Sequence, residues 1–341
     1  MQNILEILAS ILGERSDLLH LIFLIICIAV GITALIKAGD CLSDAAANFA
    51  TSLGLPKILV GLTVVSFATS APELFTTISA ARNNATGLII GNIIGSNIAN
   101  IGLILGISLL IKKIVIDGIV SSFQKITLLL VSFGFSGFLF FSPTQTISWK
   151  IGLLLVIFIF CYTCFISYRA LQDKNLGKNK DRVDNTISEN ASNTSRSLLL
   201  LFFSALGLWI GSEIMVFGSK EIAVSIGIPN ELIGFSVVAV GTSLPELAAS
   251  IALLKNSQTA MLLGNIIGSN LFNIGLVGGV AGILTPVRSG MMNPWIDHLA
   301  MLILTVIFCI ICTKKVAGRT HGIILLIGYI IATCTTWWIN A

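Results

Sequence analysis

The sequence predicts an all-α polytopic membrane protein, with ten transmembrane helices arranged as two five-helix repeats of inverted topology. Three observations predict it. The chain is 55% hydrophobic and only 11% charged, against roughly 25% charged residues in a soluble domain. It contains ten stretches that meet or approach the roughly 20 apolar residues a helix needs to cross about 30 Å of hydrocarbon. Finally, residues 56–103 recur at 229–276. With a constant offset of 173 and no gap, 24 of the 48 aligned positions are identical, which marks an internal duplication.

Taken in order, the expected spans are residues 18–37, 57–81, 88–111, 126–142, 148–168, 198–217, 229–254, 260–284, 295–313 and 320–338. The opening MQNILEILASILGERSD lacks the basic region and small-residue cleavage site of a signal peptide and reads as a short amphipathic surface helix. Between the fifth and sixth spans lies the one strongly polar segment, RALQDKNLGKNKDRVDNTISENASNTSR, which cannot bury a core and reads as a flexible linker. The chain therefore divides into an N-terminal repeat at 1–171, a linker at 172–197 and a C-terminal repeat at 198–341. Because five is odd, the second repeat enters the membrane from the opposite side, an arrangement recurrent among secondary transporters. Fifteen of the 20 Lys and Arg residues fall in loops on the linker's side. By the positive-inside rule that side is cytoplasmic, so both termini lie outside in a multi-pass protein of the cell (inner) membrane.

Composition excludes several functions. The net charge of +4 is spread over short loops, so the partners expected are the lipid bilayer and inorganic cations, with no nucleic acid and no obligate protein partner. The seven cysteines, including the pairs Cys161/Cys164 and Cys309/Cys312, lie in or beside apolar helices with no converging histidine, and read as ordinary apolar residues rather than a zinc site. No cofactor is expected. No buried His or Asp pair supplies the nucleophile and base of an intramembrane enzyme.

The chemistry concentrates in the repeated motifs. Pro72 and Pro245 fall in the middle of the second and seventh spans. Proline has no N–H to give the carbonyl four residues back, here Ala68 and Gly241, and its ring crowds that carbonyl, so each helix should kink or break. In hydrocarbon such a break is tolerated only against protein or a wet cavity. Thr69 and Glu73 share a helix face with Ser70 beside them, as do Thr242, Ser243 and Glu246, so each break gathers hydroxyls, freed carbonyls and one carboxylate. These are the hard oxygen donors that calcium, and sodium likewise, prefer. An acidic residue at that depth is a functional candidate by default. The third and eighth spans add polar stripes at four-residue spacing, Asn92, Ser96 and Asn100, and Asn265, Ser269 and Asn273. Ser96, Asn100, Ser269 and Asn273 read as further ligands. Asn92, Asn97 and their counterparts are open to a packing role, since the GxxxG pairs Gly91/Gly95 and Gly264/Gly268 bring helices together closely.

The motifs ATSAPEL with GNIIGSNIAN, and GTSLPEL with GNIIGSNLFN, resemble the two alpha-repeat signatures of the sodium/calcium exchanger family, prokaryotic type, within the cation/calcium antiporter superfamily. The resemblance covers both halves. It implies four broken or kinked core helices holding calcium and sodium near the membrane centre, while the first and sixth helices slide to alternate access. Carried over by position, it implies Glu73 and Glu246 as shared carboxylate ligands, surrounded by Thr69, Ser70, Thr242, Ser243, Ser96, Asn100, Ser269 and Asn273. The backbone carbonyls of Ser66 and Ala239 would complete the shells.

Two departures stand out: Ala68 where the first signature usually has glycine, and asparagine at both 100 and 273 where some members carry an aspartate. The histidine typical of proton-driven relatives is absent from both repeats. The expected function is therefore a secondary antiporter exchanging calcium for sodium, the alternatives being a proton-coupled or other divalent-cation exchanger and, in a different class, a cation channel.

Overall fold

A computed structural model describes residues 17–82, 86–141, 146–175, 194–226, 239–288 and 294–340. The expected N-terminal amphipathic helix and most of the linker lie outside the described residues.

Helix α1 (Asp17–Leu53) runs 37 residues, well past the expected end at 37. Its second half is Ala-rich and buries Leu42, Ala45, Ala46, Phe49 and Ala50, so tertiary packing extends the helix beyond its most apolar stretch. Gly54 ends it at φ 60°. The Gly54 amide donates to Thr51 and that of Leu55 to Ala50, at 3.1 and 2.8 Å, the Schellman pattern that requires a left-handed residue at this position.

The second expected span is α2 (Lys57–Thr69) followed by α3 (Ala71–Arg82), bent by 42° where Pro72 withholds its N–H. The third is α4 (Thr86–Ile98), a π-helical stretch at Ala99–Leu105 and α5 (Gly106–Ile111). Helices α6 (Ser122–Phe141) and α7 (Trp149–Asn175) complete the first half. The second half repeats the series: α8 (Thr194–Ser225), α9 (Ala239–Thr242), α10 (Leu244–Lys255), α11 (Thr259–Phe272), a π-helical stretch at Asn273–Val277, α12 (Gly278–Leu284), α13 (Pro294–Ile311) and α14 (Arg319–Asn340). Among the described residues seven helices are long and apolar enough to cross a membrane, eight if the bent α2–α3 pair counts as one span. Of the other two expected spans, 295–313 is a shorter apolar helix, Trp295–Ile311, and 229–254 is described only from Ala239 onward.

The halves interlock reciprocally. Gly106 of α5 packs on Gly322 and Leu326 of α14, where an added Cβ would come within 2.8 Å of Leu326. At the same offset, Gly279 of α12 packs on Gly152 and Val156 of α7, with Val156 at 2.7 Å. Two short ladders repeat the exchange: β1 (Ile114–Val115) pairs with β4 (Val316–Ala317), and β2 (Thr146–Ile147) with β3 (Val287–Arg288), both antiparallel. Two-residue strands carry no alternation for sequence reading to detect. Helices α1 and α8 pack antiparallel, with Gly207 against Ala38 and Gly211 against Ala34, each 3.0 Å from an added Cβ.

At the centre run the spans Ile89–Ile111 and Thr259–Leu284, 78% and 83% buried, whereas the windows in α1, α7 and α14 are each only 22% buried. Phe140, Phe141, Phe160, Phe202 and Phe203 are exposed on the outer helices, as expected where the solvent is lipid. The two spans that carry the serine and asparagine stripes thus occupy the middle, where the breaks in α2–α3 and α9–α10 meet them.

Candidate cation site

Each break is a single residue out of helical geometry: Ser70 at φ −84°, ψ 4° and Ser243 at φ −90°, ψ 3°. The new helix starts at once, so Glu73 and Glu246 both fall in a first turn, where the positive end of the helix dipole favours a carboxylate. Thr69, Ser70, Glu73, Ser96, Asn100, Ser243, Glu246, Ser269 and Asn273 are all buried, while Thr242 is half-buried and Ala239 opens α9.

Contacts cross between the halves. Ser70 Oγ donates to Glu246 Oε1 at 3.2 Å, and Ser66 Oγ to the Asn265 carbonyl at 3.1 Å. Thr69 Oγ1 lies 3.4 Å from Asn265 Oδ1, and Asn273 Nδ2 is 3.4 Å from Asn97 Oδ1. Glu73 and Glu246 lie close enough for their charges to interact. The Ser66 carbonyl accepts from the Ser70 amide at 2.9 Å and the Thr69 hydroxyl at 3.4 Å.

The remaining atoms speak more directly to chemistry. Glu73 Oε1 and Oε2, Glu246 Oε2, Ser243 Oγ, Ser269 Oγ and Asn273 Oδ1 are buried and have no hydrogen-bond partner among the described residues. Orphaned buried oxygens are costly. Here they belong to residues clustered where four helices meet, and apart from Asn100 Nδ2, which also has no partner among the described residues, the set is oxygen, with two carboxylates among neutral donors. Such a set fits a hard cation, which would compensate the charge and satisfy the lone pairs together.

The asparagines left open to a packing role do form bonds between helices. Asn92 Nδ2 donates to Thr77 Oγ1 at 3.1 Å, and its counterpart Asn265 Nδ2 reaches Ser250 Oγ at 3.5 Å. Asn97 Nδ2 meets Met301 Sδ at 3.5 Å. Sequence reading missed Thr77 and Ser250. The signal was available, since each stands four residues after its glutamate, on the same face as the ligands. It also missed the π-helical stretches that start at Ala99 and Asn273 and contain Asn100 and Asn273, a local widening often found at functional sites.

Comparison with known proteins follows the same lines. The family model for sodium/calcium exchanger protein matches residues 23–168 and 196–338, nearly the whole chain on both sides of the linker. An uncharacterized membrane protein of Methanocaldococcus jannaschii, MJ0091, is 33% identical over 309 residues, covering 89% of this chain and 94% of its own. The sodium/calcium exchanger MaX1 of Methanosarcina acetivorans is 29% identical over 332 residues, covering 88% and 95%. Among solved structures, the sodium-calcium exchanger NCX_Mj soaked with zero Na+ and Ca2+ superposes with a TM-score of 0.78 at 29% identity, over 92% of this chain and 99% of its own. The chain belongs to the sodium/calcium exchanger family.

Proposed function

We propose that Glu73 and Glu246 hold one calcium ion between them and that the protein exchanges calcium for sodium across the membrane by alternating access. The observation that carries this reading is the set of six buried oxygens with no hydrogen-bond partner among the described residues, three of them from the two glutamates. Two carboxylates against one divalent ion leave the site near neutrality, which a low-dielectric interior favours. Thr69, Ser70, Thr242, Ser243, Ser96, Asn100, Ser269 and Asn273 surround the ion, and the carbonyls of Ser66 and Ala239 complete the shells. Sodium ions replace calcium on the same oxygens when the site faces the other side.

The architecture we propose is ten spans in two inverted repeats, 1–171 and 198–341, joined by a cytoplasmic linker, with both termini outside and the protein in the cell (inner) membrane. The reciprocal glycine contacts and exchanged strand pairs support it, because each α5 or α12 packs on the last helix of the opposite half. The test is calcium uptake into vesicles loaded with sodium. Uptake should require an outward sodium gradient. Uptake driven equally by a proton gradient with no sodium would assign the chain to the proton-coupled class, and calcium entry with no counter-ion would make it a channel.

A further inference from the structure

The duplication makes the two long helices α1 and α8 comparable position by position, and their contacts with the broken helices differ. At offset 173, Gly39 corresponds to Ser212, Ile36 to Trp209, Ala248 to Phe75 and Ala68 to Gly241. The paired contacts of Ala34 with Gly211 and of Ala38 with Gly207 support that register in three dimensions.

Helix α8 is fastened at two points. Ser212 is buried, and its hydroxyl donates to the Gly241 carbonyl at 2.6 Å. That carbonyl is the one Pro245 cannot serve, having no N–H to offer. One turn earlier, the Trp209 ring stacks on Phe75 of α3, with centroids 5.4 Å apart and planes at 21°. Both attachments lie on the Arg82 side of the breaks, because α9 leads into its break from that side and α3 leads away toward it. On the Lys255 side, α1 lacks both attachments at the break and is fastened instead beyond the end of α10, where Asn256 Nδ2 donates to Ser43 Oγ and Asp44 Oδ1, each at 3.1 Å. Gly39 has no hydroxyl and packs on the Ala248 carbonyl, and Ile36 and Ala248 line an apolar groove of about 190 Å³ between α1 and α10.

We propose that Ser212 is a positioning residue that latches α8 to the broken helix at Gly241 and, with Trp209 on Phe75, holds the Arg82-side half closed, while on the Lys255 side Gly39 offers no such latch at the break and α1 is tied to Asn256, beyond the end of α10. The inference rests on alternating access. When α8 moves, the Gly241 carbonyl loses the Ser212 hydroxyl and must be hydrated, so release of the latch and wetting of that half are one event. The two directions of access are therefore unequal, and the inequality resides in this pair of contacts rather than in the ion ligands.

The test uses full-length protein in right-side-out and inside-out vesicles, measuring calcium KM at each face. Ser212→Ala removes the latch while keeping the volume. Loss of the latch should populate the state open toward Arg82, since apparent affinity scales with the competent fraction. KM should fall several-fold at the Arg82 face and rise several-fold at the Lys255 face. Ser212→Thr, which restores a hydroxyl, should return both values to wild type. Ser219→Ala is the control, because Ser219 bonds only within its own helix, to the Met215 carbonyl at 2.9 Å, and should leave both unchanged. If Ser212→Ala does not insert, Phe75→Leu at the second contact carries the same opposed expectation. Equal shifts at the two faces, no shift, or a threonine that fails to rescue would overturn the latch. Wild-type vesicles without sodium-driven calcium uptake would instead overturn the exchange reading beneath it.

Discussion

Ser70 and Glu246 stand 176 positions apart in sequence, yet the Ser70 hydroxyl rests 3.2 Å from Glu246 Oε1. The mirror contact, Ser243 on Glu73, is not made. Ser243 Oγ and both Glu73 oxygens are without partners among the described residues. The internal duplication thus builds two similar half-sites that are satisfied unequally, and in the proposed site Glu73 is the carboxylate with most to gain from a bound cation.

Glu73→Gln and Glu246→Gln should each abolish calcium transport in a protein that still folds. An amide removes one of two negative charges facing the ion and leaves the cation under-compensated, at a cost of several kcal/mol in binding. Without calcium the same change relieves a buried, unpartnered charge, so thermal stability in chelator should hold or rise, most of all for Glu73→Gln. Thermal unfolding with and without calcium checks both halves, and a wild-type calcium-induced shift in either variant would remove that glutamate from the site.

Ser243→Ala deletes a buried hydroxyl that has no partner among the described residues. An unsatisfied buried hydroxyl costs about 1–3 kcal/mol, so the alanine should be neutral or stabilising in chelator while weakening calcium binding. Ser70→Ala should behave differently, since it strips Glu246 Oε1 of the Ser70 hydroxyl at 3.2 Å and destabilises the ion-free protein. The two melting curves, compared in chelator, should move in opposite directions.

Helix packing predicts a third contrast. A side chain at Gly268 would drive into the Leu62 carbonyl and the Ser66 side chain, while an added Cβ at Gly134 meets nothing within 4 Å. Gly268→Val should therefore cost roughly 2 kcal/mol or more through overpacking and displace Ser66 and Asn265 from each other. Gly134→Ala should stabilise by something near 0.5–1 kcal/mol through helix propensity alone. Detergent-solubilised melting temperatures for the two variants measure the difference directly.

Much of this site could be read from the sequence because the repeat states it twice. Pro72 and Pro245 located the breaks, and the four-residue spacing of Ser96 with Asn100, and of Ser269 with Asn273, located the stripes that face them. What could not be read has physical reasons. Helix α1 continues to Leu53 because its Ala-rich second half is buried by neighbours that no local window can see. The π-helical stretches at Ala99 and Asn273 are shifts of backbone register, which leave no side-chain signature. The Ser212 bond to Gly241 joins residues 29 apart in sequence, and an isolated serine in an apolar helix more commonly bonds back to its own turn, as Ser204 does to the Leu200 carbonyl at 2.6 Å.

Topology gives a fourth prediction. Residues 176–193 hold no ligand candidate, so a shortened linker should leave exchange intact in a correctly inserted protein. Tags at Met1 and Ala341 should both be reached from outside, whereas a cysteine introduced at Lys178 should react only after the membrane is opened. Termini on opposite faces would mean an odd number of spans and would end the inverted-repeat reading.

The paired asparagines set this chain apart from relatives with a third acidic group. Asn273 Oδ1 is buried without a partner among the described residues while its Nδ2 is held 3.4 Å from Asn97 Oδ1, so the neutral oxygen is left available for a cation and the amide nitrogen fixes its direction. Asn273→Ala should weaken calcium transport less than loss of either glutamate, because it removes one neutral ligand and leaves the charge balance unchanged. Asn273→Asp adds a negative charge near the two glutamates, and like charges confined together favour an additional bound cation, sodium or a proton. This variant should become more sensitive to pH and alter its sodium dependence. Asn100→Asp should do so too, though less sharply, since at Asn100 the atom without a partner is Nδ2, a donor rather than an oxygen. Calcium flux measured against pH and against sodium for wild type and both aspartates decides the matter: three superimposable sets of curves would place these side chains outside the ion site and leave them the role of joining helices.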